Sequence, residues 1–194
     1  MSSGLVHGVG RYNKGKFTTK KNNIVTKEYD VWKNMLRRCY CSKEQEKCPT
    51  YKGCYVSDNF KDFQFFAKWC HSQIGFGEKG YQLDKDILIR SNKLYSENTC
   101  VFVPSRVNSI LLERNADRGE WPIGVYLHKK TGRFAAQVGR GRGKREYLGV
   151  FSTPDEAFLC YKNAKEAIIK QLAEEYRDKV DTRVYNALLE YKVT

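Results

Sequence analysis

The stretch from Trp121 to about Leu172 constrains the fold most. Thr153-Pro154-Asp155-Glu156 places Thr at a helix N-cap, Pro at the first helical position and Glu two residues later, a strong helix start. Behind it, Ala157, Phe158, Tyr161, Ala164, Ala167, Ile168 and Leu172 return to one helical face. Ahead of it lie three strand-length segments, Gly124 to His128, Arg133 to Val138 and Arg145 to Phe151. They are separated by the turn Lys129-Lys130-Thr131-Gly132 and by the Gly-rich loop 139–144. The order is β-β-β-α, and one long helix suffices to cover one face of a three-stranded sheet. A further helix is expected from about Asp181 to Tyr191, carried by Val184, Ala187, Leu188 and Tyr191.

The uncovered face of such a sheet would be basic. Between Trp121 and Val150 the cations are Lys129, Lys130, Arg133, Arg140, Arg142, Lys144 and Arg145, opposed only by Glu146. The bias extends to the whole chain of 194 residues, where 35 Lys and Arg face 22 Asp and Glu, a formal charge of +13. A polyanion is the natural partner, double-stranded DNA first and an acidic host protein second. The plainer reading is a solvated face. Hydrophobic residues at 41% can build cores, so wholesale disorder is excluded. There is no run long and apolar enough for a membrane span, and the opening residues MSSGLVHGVGRYNKGKF lack the apolar stretch of a secretory signal. A cytoplasmic protein with no membrane partner is expected.

The motifs Gly124-Val125, Gly132-Arg133-Phe134-Ala135-Ala136-Gln137-Val138 and Tyr147-Leu148-Gly149-Val150-Phe151-Ser152-Thr153, with Asp155-Glu156-Ala157 and Tyr161, resemble the apetala/ethylene-response-factor DNA-binding domain. The resemblance spans about fifty residues. It implies a three-stranded antiparallel sheet lying in the major groove, backed by one helix. It also implies DNA contacts from Tyr126, His128, Lys130, Arg133, Gln137, Arg140, Arg142, Lys144, Arg145 and Tyr147. The family's first sheet arginines fall here on Ile123, Tyr126 and His128, its strand-three Trp on Tyr147, and its arginine after the second strand on Gly139, next to Arg140.

Upstream, residues 1–27 read as a basic flexible arm, with Arg11, Lys14, Lys16, Lys20, Lys21 and Lys27 strung among Gly, Asn and Thr. Trp32, Met35, Leu36 and Cys39 predict an amphipathic helix from Tyr29, and Phe60, Phe63, Phe66, Ala67 and Cys70 predict a second from Asp58 to Gln73. A strand over 81–89, a turn at Ser91-Asn92-Lys93, a strand over 99–103 and a helix after Pro104 complete a β-β-α segment. The expected organisation is the arm 1–27, a unit over 28–113, a linker over 114–120, and the sheet-and-helix unit over 121–194. The fold class is α+β.

The β-β-α segment, with Trp32, Tyr51, Gly53, Phe60 and Phe63 before it, is similar to the HNH family. Chains joining the two kinds of domain resemble bacteriophage homing-type endonucleases. The resemblance implies a metal-dependent DNA endonuclease or nickase using Mg²⁺ or Mn²⁺, with Asp84, Asn98 and Asn108 as metal ligands and Asp84, Lys85, Asn98 and Asn108 as the catalytic set. Lys85 stands where the family has its general-base His. A lysine, cationic near neutral pH, is a poor base and a reasonable phosphate clamp. His71 and Asp86 are the weaker candidates for a base. A degenerate site, leaving a non-catalytic DNA-binding regulator, is the alternative. In that reading Asp84 and Asp86 are solvated and Asn98 caps a turn.

The seven cysteines are an odd count. Cys39, Cys41, Cys48 and Cys54 are spaced C-x-C-x6-C-x5-C, off the usual zinc spacing, so zinc is the minor option beside free thiols. Cys70, Cys100 and Cys160 read as core.

Overall fold

The computed structural model describes residues 4–111, 120–141 and 143–194. The chain divides into two compact units, Met1–Val103 and Pro104–Thr194.

The first unit is mixed. A hairpin of β1 (Lys20–Lys21) and β2 (Ile24–Val25) leads into α1 (Lys27–Tyr40). The expected loop after α1 holds α2 (Ser42–Lys47), a 3-10 turn (Pro49–Tyr51) and β3 (Tyr55–Val56). The expected 58–73 helix is two helices, α3 (Asp58–Lys61) and α4 (Phe63–His71). The break at Asp62 has a local cause. Ser57 caps α3 by accepting from the Phe60 N–H, and Asp62 leaves helical geometry (φ −87°, ψ 120°) to cap α4 by accepting from the Phe65 N–H. The apolar stripe runs on through both helices. Phe60, Phe63, Phe66 and Trp32 are fully buried, and the Trp32 Nε1–H donates to the Phe60 carbonyl at 2.7 Å.

Residues 4–27 do not form a free arm. The Arg11 N–H donates to the Lys61 carbonyl at 2.8 Å, and the Phe63 N–H donates to the Arg11 carbonyl at 3.0 Å. Gly10 is buried where any Cβ would collide with Trp32 and Leu36, so only glycine permits this approach. Phe17 stacks on His71 with ring centroids 5.2 Å apart. Composition suggests an unanchored segment, but specific contacts from Gly10, Arg11 and Phe17 hold it to α1, α3 and α4.

Then come β4 (Tyr81–Asp84), β5 (Leu94–Tyr95) and β6 (Val101–Pro104). β4 pairs with β6, while β5 pairs in parallel with β3. The strand expected over 81–89 stops at Asp84, whose side chain turns the backbone.

The second unit, and not the first as expected from the β-β-α pattern, contains α5 (Ser105–Leu111). The linker expected over 114–120 lies, except for Glu120, outside the described residues. β7 (Val125–His128), β8 (Arg133–Gly141) and β9 (Lys144–Phe151) form an antiparallel sheet in that order. β8 and β9 run further than expected and absorb most of the 139–144 loop. α6 (Pro154–Tyr176) starts with the expected capping box between Thr153 and Glu156 and packs across all three strands. Gly124, at φ 79°, sits where a Cβ would strike the Tyr161 ring of α6. α7 (Thr182–Leu189), capped by Asp181, closes the unit against α6. α5 lies against β8, and Arg106 reaches Glu175 in the last turn of α6 at 2.6 and 2.7 Å. Among the described residues no helix is long and apolar enough to cross a membrane.

Candidate nucleic-acid interface

Register decides which side chains share a face, because directly opposed residues of paired strands point the same way. On one face, Val125 opposes Ala136 and Leu127 opposes Phe134. Ala136 and Val138 are buried on this side, which α6 covers. On the other, Tyr126 opposes Ala135 and His128 opposes Arg133, while Gln137 opposes Tyr147, Gly139 opposes Arg145 and Gly141 opposes Lys144. Tyr126, Arg133, Lys144, Arg145 and Tyr147 are all exposed, Tyr147 at 58%. Ala135 is the fully buried floor between Tyr126 and Val150, its partners on either side.

A bulge makes this composition. Ala136 opposes Gly149, but the next residue, Gln137, opposes Tyr147, leaving Leu148 as the extra residue. In a regular ladder that kept Leu148 in register, Gln137 would face Leu148, and Tyr147 and Arg145 would turn toward α6.

The side chains of Tyr126, Arg133, Gln137, Lys144, Arg145 and Tyr147 make no hydrogen bond or ion pair among the described residues. His128 is held by its own turn, Nδ1 lying 2.9 Å from Thr131 Oγ1. Lys130 is exposed in the same turn. Arg140 differs. It falls at a second irregularity of register, and its guanidinium pairs with Glu146, whose strand partner Val138 is on the helix-covered side. That hydrogen bond holds the Glu146 carboxyl below its ordinary range. Arg140 is therefore withdrawn from the set of unpaired cations. Arg142 lies outside the described residues.

The β4 segment behaves in the opposite way. Asp84 Oδ1 accepts from the Asp86 and Ile87 N–H groups, both at 2.8 Å, and folds the chain back after β4. Burial pushes the Asp84 carboxyl up against the pull of those two donors. Lys85 is 5% exposed. Its ammonium donates to Asp86 Oδ1 at 2.5 Å and to the Asn92 carbonyl at 2.6 Å, and stands 5.6 Å over the Tyr95 ring. It is not presented to a phosphate, which corrects the clamp expected from its charge. Asn92 orders this loop. Its amide donates to the Lys85 and Leu94 carbonyls at 2.8 and 2.7 Å, and its oxygen accepts from the Leu94 N–H at 3.0 Å. The turn signal Ser91-Asn92-Lys93 was visible in the sequence, but not this double bridge.

Asn98 is exposed in the turn before β6, and Asn108 lies on α5 in the other unit. His71 stacks on Phe17 and meets Phe76 edge to face, with Nε2 3.8 Å from Glu28. Among the described residues no group of three or more His, Cys, Asp or Glu is placed to hold a metal ion. At Asp84 itself Oδ1 already accepts two N–H groups, and the neighbouring Lys85 side chain is turned to Asp86 and the Asn92 carbonyl. Cys39 and Cys54 are buried, with burial pushing the Cys39 thiol up to about 12, while Cys41 and Cys48 are half-buried. All seven cysteines are free thiols.

No protein family, curated protein or solved structure was found to match the chain. The resemblances to the apetala/ethylene-response-factor domain and to the HNH family rest on the quoted residues.

Proposed function

We propose that the protein binds double-stranded DNA through the open face of the β7–β8–β9 sheet and does not cut it with the β4 segment. The observation that carries the reading is the alignment of Tyr126, His128, Arg133, Gln137, Arg145 and Tyr147 on one face, most of them without internal partners. A sheet face of this width suits the major groove, about 12 Å across. Gln and Arg there can make paired hydrogen bonds to adenine and guanine edges. β8 has nine residues, about 30 Å at the usual rise, with Lys130 beyond one end and Lys144 beside the other. Cations at both ends of such a strip reach the phosphates on either side of a groove.

The non-catalytic reading of the first unit is favoured by Lys85. The residue at the general-base position is a lysine whose Nζ already donates to Asp86 and to the Asn92 carbonyl, so it is turned into the loop and away from a water at a scissile phosphate. The experiment has two arms. Fluorescence anisotropy with a 20-base-pair duplex should give binding that weakens steeply with salt and depends on Arg133 and Arg145. Supercoiled plasmid incubated with the protein and Mg²⁺ or Mn²⁺ should remain intact. Nicking that is lost in Asp84→Ala would overturn the non-catalytic reading. Absence of duplex binding would overturn the DNA reading and favour an acidic protein partner.

A further inference from the structure

We infer that the β1–β2 hairpin is a second DNA contact, a minor-groove finger built from residues distinct from the sheet face. The inference shares with the reading above only its partner class. Lys20 opposes Val25 and Lys21 opposes Ile24. The loop between them is Asn22-Asn23, with φ of 50° and 61°. Two consecutive left-handed residues form the tight turn whose twist matches that of the flanking strands, and asparagine tolerates that geometry.

The base of the hairpin is fixed. Thr26 Oγ1 donates to the Thr18 carbonyl at 2.8 Å, and the Thr26 N–H donates to the Thr19 carbonyl at 3.0 Å. Gln64 on α4 clamps the preceding Phe17, donating to its carbonyl at 2.9 Å and accepting from its N–H at 3.0 Å. A defined tip therefore projects from an anchored base.

The tip carries an unusual combination. Ile24 is 73% exposed, the most open large apolar side chain among the described residues, and Val25 is 47% exposed. Lys20, Lys21, Asn22 and Asn23 are all exposed around them. Residues 1–27 contain six cations and no acid. Minor-groove proteins combine these three parts: lysines on the flanking phosphates, amides reaching the acceptors of A·T pairs, and an apolar side chain pressed between base steps or sugars. An anionic bilayer is the competing partner for a basic, apolar tip. One Ile and one Val bury far less hydrocarbon than a single acyl chain, which by itself binds membranes only marginally.

The test uses the full chain and a fluorescein-labelled, A·T-rich 20-base-pair duplex, with anisotropy read at several KCl concentrations. Lys20→Ala/Lys21→Ala should weaken binding about tenfold or more and lower the salt slope by about two. Ile24→Ser should weaken binding several-fold and leave the slope unchanged. The minor-groove ligand netropsin should weaken the parent and leave the double-lysine variant unaffected. The altered positions are exposed, and far-UV circular dichroism verifies that each variant folds. An unchanged affinity and slope in the double-lysine variant overturns the inference. So does loss of co-sedimentation with phosphatidylserine vesicles when duplex binding is unaltered. Arg133→Ala/Arg145→Ala runs in parallel. If it alone leaves affinity unchanged, the sheet reading fails and the hairpin stands. A parent that binds no duplex overturns both.

Discussion

The β7–β8–β9 face and the β4 turn are both rich in polar and charged residues, and they treat them in opposite ways. On the sheet, Arg133, Gln137 and Arg145 extend outward without internal partners. At the turn, Asp84, Lys85 and Asn92 spend their hydrogen bonds on the chain's own backbone and on Asp86. A charged residue can serve a ligand or hold a loop, and its partners in the folded chain distinguish the two. Exposed residues can change binding at little cost to stability. Inward-turned residues should do the reverse.

The contrast can be broken most sharply by exchanging readouts. Arg133→Ala/Arg145→Ala should weaken duplex binding by about two orders of magnitude or more, since each good base or phosphate contact is worth about 1–3 kcal/mol. Its urea midpoint should stay at the parent value. A loss of stability in this variant would show that the face is structural.

Lys85→Ala should act in the opposite sense. It strands the half-buried Asn92 carbonyl and leaves a gap over Tyr95, costing about 1–3 kcal/mol. Tryptophan emission is the suitable probe, because Trp32 and Trp69 both belong to the first unit. Duplex affinity should not change while the protein is folded. An unaltered urea midpoint would mean that the ammonium is available for other work.

Asp84→Asn sharpens the comparison at smaller scale. A carboxyl whose folded pKa lies above its unfolded value loses stability as pH rises from the ordinary carboxylate range through the raised value. An amide oxygen can accept the same two N–H groups without carrying charge. The variant should therefore match the parent in acid and be modestly more stable at neutral pH. Melting temperatures at pH 3.5 and pH 7 test this, and a marked loss at pH 7 would contradict it.

The smallest expected effect concerns the thiols. At pH 8 a disulfide reagent should modify Cys41, Cys48 and Cys160 first, and Cys39, Cys54, Cys70 and Cys100 only on unfolding. Burial holds Cys39 and Cys100 in the unreactive thiol form, each pushed up to about 12. Protection of Cys41 and Cys48 that a chelator removes would instead indicate bound zinc.

Local signals in the sequence reached as far as local causes did. The capping box at Thr153, the apolar face of α1 and the three strands of the second unit are each written in neighbouring residues, and each appears where expected, with β8 and β9 extended into the loop between them. The division at Asp62 was hidden because the aromatic stripe continues through it. The parallel pairing of β3 with β5 involves two residues from each strand, too short for any periodicity to reveal. The folded N-terminal segment depends on Gly10 meeting Trp32 and Leu36, a contact between distant positions that reads in sequence as one more flexible glycine. At the candidate sites, the strand pattern placed Tyr126, Arg133 and Gln137 together. It could not indicate that Lys85 is internal, because charge predicts exposure unless a partner such as the Asn92 carbonyl is known.

The extra residue at Leu148 makes this surface tolerant of one change in length and intolerant of its neighbour. Deleting Leu148 would leave Gly149 opposite Ala136 and set Tyr147 opposite Gln137 as before, so the same side chains would stay outward on a straighter strand. Deleting Tyr147 with the bulge kept would instead bring Glu146 and Lys144 outward in place of Tyr147 and Arg145. Two adjacent one-codon deletions should therefore differ abruptly in what the strand offers to its target.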